Sequence, residues 1–200
     1  MDSPRVRVHF EKVTAISRVC EAVARGSLDD AREILGLDYP FDPGAVAPRK
    51  YGPVEATRVF IRDGFVDRYS GQPLLFPPVL RVLSNVLPAE FPFHPNWKTE
   101  VTHPAYWELG ATVDHLVPVT LGGADEESNW VTTSMSRNSA KMNWTLDQLG
   151  WQLFPPGEFT EWDGMISWFL DYLNVNPELL INRSVRQWHR AAKDALDRRI

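Results

Sequence analysis

The chain has 200 residues, of which 44% are hydrophobic and 24% are charged, and its net charge is −5. These proportions are typical of a folded domain with a buried core. No run of eighteen apolar residues occurs, so we expect no membrane span and no membrane partner. The first twelve residues lack the apolar segment of a signal peptide. With Cys20 as its one cysteine, the protein is expected in the reducing cytoplasm.

The negative net charge is unfavourable for a nucleic-acid partner, because phosphate binding is largely electrostatic. Basic residues nevertheless concentrate in residues 49–81 and in the tail that begins at Arg183. Either group alone is equally well explained as the solvated face of a helix. If the protein binds DNA, we expect weak intrinsic affinity, which a homodimer or another protein partner would strengthen.

The N-terminal part of the chain predicts a helical hairpin. Residues 11–25 carry apolar side chains at helical spacing, and Gly26 follows as a stop signal. Ser27 indicates the start of a second short helix that extends to Leu35. This hairpin is expected to serve packing or dimerisation. Prolines and glycines at 38–53 indicate a linker, so residues 1–47 are predicted to form an appendage.

The next segment is predicted to be mixed. Pro53 favours a helix start, and the helix is expected to end near Arg62 or Asp63, before Gly64. Residues 65–76 suggest a β-hairpin. Residues 78–87 predict a helix with six buried apolar side chains: Val79, Leu80, Val82, Leu83, Val86 and Leu87.

Residues 91–109 are aromatic, rich in proline and too irregular to assign. His94 and His103 could form a second metal site or touch a phosphate. They could equally be loop histidines that are hydrogen-bonded to the backbone. Three large aromatic residues could stack on bases or pack in the core: Trp97, Tyr106 and Trp107.

The most informative stretch is residues 112–143, which predicts a strand, a turn, a second strand and a helix. Apolar and β-branched residues favour a first strand that ends in Asp114 and His115. Gly122 and Gly123 permit a turn, and residues 129–132 can run back antiparallel. Because successive strand residues point to opposite faces, one member of the Asp-His pair must lie at a bend or at the strand end.

The helix that follows is predicted to begin at Ser136 as its N-cap. On this helix Asn138 and Lys141 are three positions apart and share a face. The stretch therefore gathers a carboxylate, an imidazole, an amide oxygen and an ammonium group. Carboxylate and amide oxygens suit a hard cation such as Mg²⁺, and a neutral imidazole is suited to removing a proton from water.

These residues resemble the HNH, or ββα-metal, nucleases, whose core is a hairpin and a helix around one divalent ion. His115 to Asn129 is fourteen positions and Asn129 to Asn138 is nine, a spacing similar to the HNN variant in the nuclease domain of RNA-guided CRISPR effectors. The resemblance implies that Asp114 and Asn138 bind Mg²⁺ or Mn²⁺ and that His115 is the general base. It also implies that Asn129 holds the hairpin loop and the imidazole in place.

The resemblance extends to the basic residues. Lys141 and Arg137 would neutralise charge on the phosphate, with Lys141 part of the catalytic group. Arg62 begins an Arg-Asp-Gly-Phe segment similar to one that precedes the core in family members. Arg62 and Arg68 are accordingly expected to contact nucleic acid.

The sequence departs from many family members at the zinc ribbon, which two C-x-x-C pairs form around the core. Residues 67–71 occupy the first of these slots and residues 134–138 the second, and neither contains cysteine. No structural zinc is therefore expected, and other contacts must hold the core together.

The C-terminal part predicts a helical turn capped by Thr145, an amphipathic helix over 163–174, and a last helix opened by Pro177 with a break near Asn182. The predicted fold class is α+β, with a ββα-metal (HNH) core embedded in a mostly helical single domain. We assign residues 48–160 to the nuclease domain, with its core at 112–143, and residues 161–200 to helices that pack on that core.

The function implied by the resemblance is a metal-dependent endonuclease that hydrolyses DNA phosphodiester bonds. Two alternatives remain open at this point. The chain could be a catalytically silent nucleic-acid-binding or scaffold subunit of a larger complex on an HNH frame. It could also be an RNase, with RNA in place of DNA as its substrate.

Overall fold

A computed structural model describes residues 4–41 and 51–198 of the protein. Its two antiparallel strands are β1 (Ala111–His115) and β2 (Trp130–Ser134). The α-helices of the described residues are α1 (Pro4–Ala24), α2 (Leu28–Asp38), α3 (Pro53–Arg62), α4 (Pro77–Val86), α5 (Ala105–Glu108), α6 (Met135–Lys141), α7 (Leu146–Leu149), α8 (Ile166–Val175) and α9 (Arg183–Asp197). The fold is therefore α+β, mostly helical with a small two-stranded sheet.

The described residues divide into two compact units, 4–41 with 144–151, and 51–143 with 152–198. The predicted boundary between residues 47 and 48 lies outside the described residues. Every helix in the described part of the chain is too short or too polar to cross a membrane.

The first unit contains the predicted helical hairpin. Gly26 joins α1 to α2 in the left-handed region, with φ of 76°, which favours glycine. Small side chains of these two helices are buried: Ala15, Ala22 and Ala31. The larger apolar side chains Val13 and Val23 remain about half exposed. Helix α7 begins at the predicted Thr145 cap, whose hydroxyl accepts from Gln148 N at 3.3 Å.

The second unit has an aromatic core formed by α3, α4, α8 and α9. Phe60, Phe65, Phe76 and Phe169 are each no more than 1% exposed, and the Phe76 and Phe169 rings meet edge to face with centroids 5.4 Å apart. Such pairs stabilise a core beyond the area that they bury. Asn182 separates a 3₁₀ turn (Pro177–Ile181) from α9, and its side chain accepts from Ser184 N and Val185 N, so the predicted break is confirmed.

Three predictions outside residues 112–143 need correction. Residues 65–76 form a single antiparallel bridge between Val66 and Pro73, not a hairpin with two strands. In α4 the predicted burial of Val86 is wrong, since it is 45% exposed, and Leu87 just after the helix is 46% exposed. Helix α8 begins at Ile166 because the Asp163 carboxylate, predicted to lie inside the helix, instead accepts from backbone N–H groups at its start.

Two antiparallel strands and a helix follow one another in the predicted order, with the second strand at Trp130–Ser134 instead of 129–132. Ala111 pairs with Ser134 and His115 with Trp130 at the two ends of the register. Helix α6 follows β2 without a connecting residue. The predicted cap at Ser136 is wrong. The hydroxyl of Ser134 accepts from Arg137 N at 3.3 Å, so the helix starts as soon as the strand ends.

Candidate active site

Helix α6 lies against the outer backbone of β1. Asn138 Nδ2 donates to Val113 O at 3.3 Å, and Lys141 Nζ donates to His115 O at 2.7 Å. These two carbonyls point to the same side of the strand, because peptide groups alternate in direction along it. The helical face that carries Asn138 and Lys141 therefore binds the carbonyl groups of the two residues that flank Asp114.

The Asp114 carboxylate is held by two buried donors. Its Oδ2 accepts from Tyr69 Oη at 2.7 Å and lies 3.0 Å from Lys141 Nζ. Burial raises the pKa of the Tyr69 phenol, which keeps the phenol protonated as a donor. Lys141 is fully buried, so its ammonium group faces Asp114 rather than solvent. The carboxylate is thus fixed in position and its charge is offset.

The oxygen donors of Asp114 and Asn138 suit a hard divalent cation. Asn138 donates a hydrogen bond from its amide nitrogen to Val113 O, which leaves the amide oxygen as an acceptor. Asp114 is 8% exposed, and both donors described above bind the same one of its oxygens. Across the described ranges, His, Cys, Asp and Glu side chains form no metal-binding group of three or more. One carboxylate with additional oxygen ligands is nevertheless sufficient for Mg²⁺, which keeps several of its waters.

His115 is the last residue of β1 and lies in a second group of contacts. Its Nε2 is 2.8 Å from Asp125 Oδ1. Trp130, its partner across the sheet, has Nε1 3.1 Å from that same carboxylate oxygen and 3.1 Å from His115 Nε2. The imidazole and carboxylate side chains are 18% and 14% exposed, so this group lies at the boundary with solvent.

Asn129 closes the loop between the strands. Its Oδ1 accepts from Val117 N at 2.9 Å, and its Nδ2 donates to the carbonyls of Val117 and Ala124, each at 2.8 Å. The loop passes so close to itself that a Cβ at Gly123 would lie 1.9 Å from Val117 O. These three bonds hold the loop, and the role of Asn129 in placing the imidazole stays a prediction.

The two arginines expected to contact nucleic acid bind Asp63 within the protein. Asp63 is fully buried, and its carboxylate accepts from Arg62 Nε, Arg68 Nη1 and Thr132 N at 2.8–3.0 Å. Arg62 also donates to Trp130 O at 2.6 Å. Arg62 thus binds β2 directly, and Arg68 supports β2 through Asp63.

Asp67 joins two segments that are far apart in the chain. Its Oδ2 accepts at 3.1 Å from the backbone N–H of Ser134, at the end of β2. Its Oδ1 accepts from Tyr69 N at 2.9 Å and from Thr133 Oγ1 at 3.0 Å. A buried carboxylate therefore joins residues 67–69 to the end of β2.

The remaining candidates lie elsewhere. Arg137 is exposed on α6. His94 Nδ1 accepts from Asn96 N at 3.1 Å, and His103 Nδ1 accepts from Ala105 N at 3.2 Å. In each of these two histidines, one ring nitrogen accepts a hydrogen bond from a nearby backbone N–H. This matches the alternative of loop histidines that are hydrogen-bonded to the backbone.

Sequence reasoning missed Tyr69 and Asp125. Tyr69 lies within residues 67–71, a segment that the sequence marks only by its lack of cysteine, and nothing there indicates that a phenol belongs to the site. Asp125 follows the two glycines of the loop by two positions, and no periodicity marks a loop residue that turns back toward a strand.

The comparisons with known proteins do not identify a relative. A scan against models of protein families finds no match, and neither curated proteins nor solved structures show a significant similarity to the chain. The likeness to HNH nucleases therefore rests on the motif within residues 114–141 and on the contacts that these residues make.

Proposed function

We propose that this protein is an HNH-type, metal-dependent endonuclease that hydrolyses phosphodiester bonds in DNA. The observation that carries the proposal is the contact of α6 with β1. It brings the Asn138 amide next to the strand that holds Asp114, with His115 at the end of the same strand. Carboxylate, amide and imidazole groups in this order are the groups that a one-metal nuclease needs.

Each residue has a separate task in the proposed reaction. Asp114 and Asn138 would hold one Mg²⁺ or Mn²⁺. When bound, this ion supplies Lewis-acid stabilisation of the phosphate and the leaving 3′-oxygen. His115 takes a proton from the water that attacks phosphorus. The products are a 5′-phosphate and a 3′-hydroxyl.

The surrounding residues position these groups. Lys141 and Tyr69 fix the Asp114 carboxylate, and Asn129 fixes the loop after His115. Arg137, exposed on α6, is the residue that we assign to phosphate contact. Arg62 and Arg68 are bonded to Asp63, so we assign them to the stability of the hairpin.

The charge of the chain fits an enzyme that depends on a partner or a second copy for DNA affinity. The net charge is −5, and two arginines near the site are used internally. Weak electrostatic attraction lowers affinity for phosphate in a salt-dependent way. The one cysteine suits the reducing cytoplasm, where we place the protein.

The test is conversion of supercoiled plasmid to nicked or linear DNA with Mg²⁺ or Mn²⁺. His115→Ala should abolish cleavage, and Asp114→Ala should abolish it together with its metal dependence. His9→Ala is the matched control, because His9 is an exposed residue of the first unit. Cleavage by the His115→Ala variant at the parent rate would exclude His115 as the general base.

Parallel substrates separate this proposal from its alternatives. An RNase would degrade single-stranded or duplex RNA and leave the plasmid intact under the same conditions. A silent scaffold would cleave neither substrate yet would retard labelled DNA or RNA in a gel. The His115→Ala variant is assayed beside the parent on each substrate. Cleavage that persists in this variant reveals a contaminating nuclease.

A further inference from the structure

A carboxylate from the hairpin loop contacts the candidate base, and the proposed function has not used it. We propose that Asp125 is a positioning residue that holds His115 in the tautomer protonated on Nε2. Nδ1 is then the atom that accepts the proton from water. The inference rests on the proposed function of His115 as general base.

The short contact between His115 and Asp125 decides where the proton lies. Nε2 and Oδ1 are 2.8 Å apart, a distance at which a hydrogen must lie between them. An ionised carboxylate has no hydrogen to give, so the imidazole is the donor. A neutral imidazole that donates through Nε2 has its lone pair on Nδ1.

The indole of Trp130 is compatible with this tautomer. Its Nε1–H lies 3.1 Å from both His115 Nε2 and Asp125 Oδ1. An indole nitrogen can only donate, and a protonated Nε2 cannot accept. The indole hydrogen therefore goes to the carboxylate, and Asp125 Oδ1 accepts two hydrogen bonds from one side. The opposite tautomer would instead place two acceptors 2.8 Å apart.

The fold places these three side chains together through the strand register and the loop. His115 and Trp130 are direct partners across the sheet, so their side chains stand on the same face. The Trp130 indole is 5% exposed, which fixes the donor. Asn129 Nδ2 binds Ala124 O at 2.8 Å and thereby holds the backbone next to Asp125.

A carboxylate that fixes a histidine tautomer and ring orientation is a general device of catalytic and metal sites. Loss of such a partner typically lowers activity about 10–100-fold. Here the consequence is specific. Without Asp125, the neutral ring could carry its proton on either nitrogen, and only the form with a free Nδ1 lone pair would be competent at this geometry.

The direct test is the tautomer of His115, measured by long-range ¹⁵N–¹H NMR of metal-free protein at a pH where imidazoles are neutral. The His115 signals are assigned by their loss in His115→Ala. We expect the Nε2-protonated form in the parent and a mixture of tautomers in Asp125→Ala. Asp125→Asn keeps an oxygen that can accept both donors, so it should retain the parent tautomer. Glu126→Gln is the matched control, because this neighbouring carboxylate contacts Ser128 Oγ.

Plasmid cleavage provides the second measurement. Asp125→Ala should lower kcat about 10–100-fold with KM for DNA unchanged, and Asp125→Asn should recover most of that loss. Glu126→Gln should match the parent. Circular dichroism establishes that each variant is folded. A purely structural role for Asp125 would lower the yield or the melting temperature without moving the tautomer.

Two results would overturn the inference. One is a parent His115 that carries its proton on Nδ1. The other is an Asp125→Ala variant that is folded and keeps both the parent tautomer and the parent kcat. Absence of metal-dependent cleavage by the parent would instead refute the proposed function. The NMR result stays readable in that case, since it requires neither metal nor substrate.

Discussion

Replacement of Asp67 by alanine should destabilise the second unit strongly, because this carboxylate joins two segments of the chain. Three buried donors bind it: Tyr69 N, Thr133 Oγ1 and Ser134 N. All three residues are at most 4% exposed, so water cannot readily replace the lost acceptor. The free energy of unfolding should therefore fall by the cost of three unsatisfied donors.

The magnitude follows from the cost of leaving a buried donor without a partner. At about 1–2 kcal/mol for each donor, Asp67→Ala should cost about 3–6 kcal/mol. This is a large part of the roughly 5–15 kcal/mol that stabilises a typical domain. Asp67→Asn keeps one acceptor oxygen and turns an NH₂ group toward the other donors, so it should cost about 1–3 kcal/mol.

Urea unfolding followed by tryptophan fluorescence measures these differences. Asp171→Ala is the matched control, since Asp171 is exposed on α8 and surface changes usually stay within about 0.5 kcal/mol. A chelator should leave the parent midpoint unchanged, because hydrogen bonds to Asp67 hold these segments together. An Asp67→Ala variant as stable as the Asp171→Ala control would refute this assignment.

Three further predictions concern the site and its surroundings. Tyr69→Phe removes the 2.7 Å hydrogen bond to Asp114 and should raise the Mg²⁺ concentration for half-maximal cleavage about tenfold or more. A Mg²⁺ titration measures this, and an unchanged midpoint would show that Tyr69 does not position Asp114 for the metal. Gly123→Ala would place a Cβ 1.9 Å from Val117 O and should lower kcat up to about 100-fold while circular dichroism stays unchanged; parent activity would show that the loop tolerates the displacement. Burial, and to a smaller extent Lys193, lowers the pKa of His189. The folded state therefore favours the neutral imidazole, and this contribution to stability is lost as the pH falls below about 6.5. The urea midpoint of the parent should then fall more steeply with acid than that of His189→Leu, and parallel curves would contradict the assignment.

The sequence predicts the hairpin and α6 well because both are encoded locally. Apolar and β-branched residues lead up to Asp114, glycines mark the loop, and Asn138 and Lys141 recur at helical spacing. Their contacts with the carbonyls of β1 follow once the helix packs on the strand. The position of the helix start was missed because two serines, Ser134 and Ser136, offer the same cap.

The polar interior could not be predicted from composition or periodicity. Lys141, Asp63 and Asp67 are at most 1% exposed, although lysine and aspartate are rarely buried unless paired. Their burial depends on partners that are distant in the chain, such as Thr132 N for Asp63. A lysine at position 141 therefore suggested a phosphate contact, whereas the fold uses it to hold a carboxylate.

The contacts around the hairpin have a consequence for how the protein meets other chains. Unpaired strands invite β-strand addition by another polypeptide and are a common origin of aggregation. Here Asp63 and Asp67 bind the outward N–H groups of Thr132 and Ser134, and α6 binds the outward carbonyls of β1. Among the described residues, both edges of this sheet are therefore occupied, so we expect a second copy or a partner to bind through helices or loops.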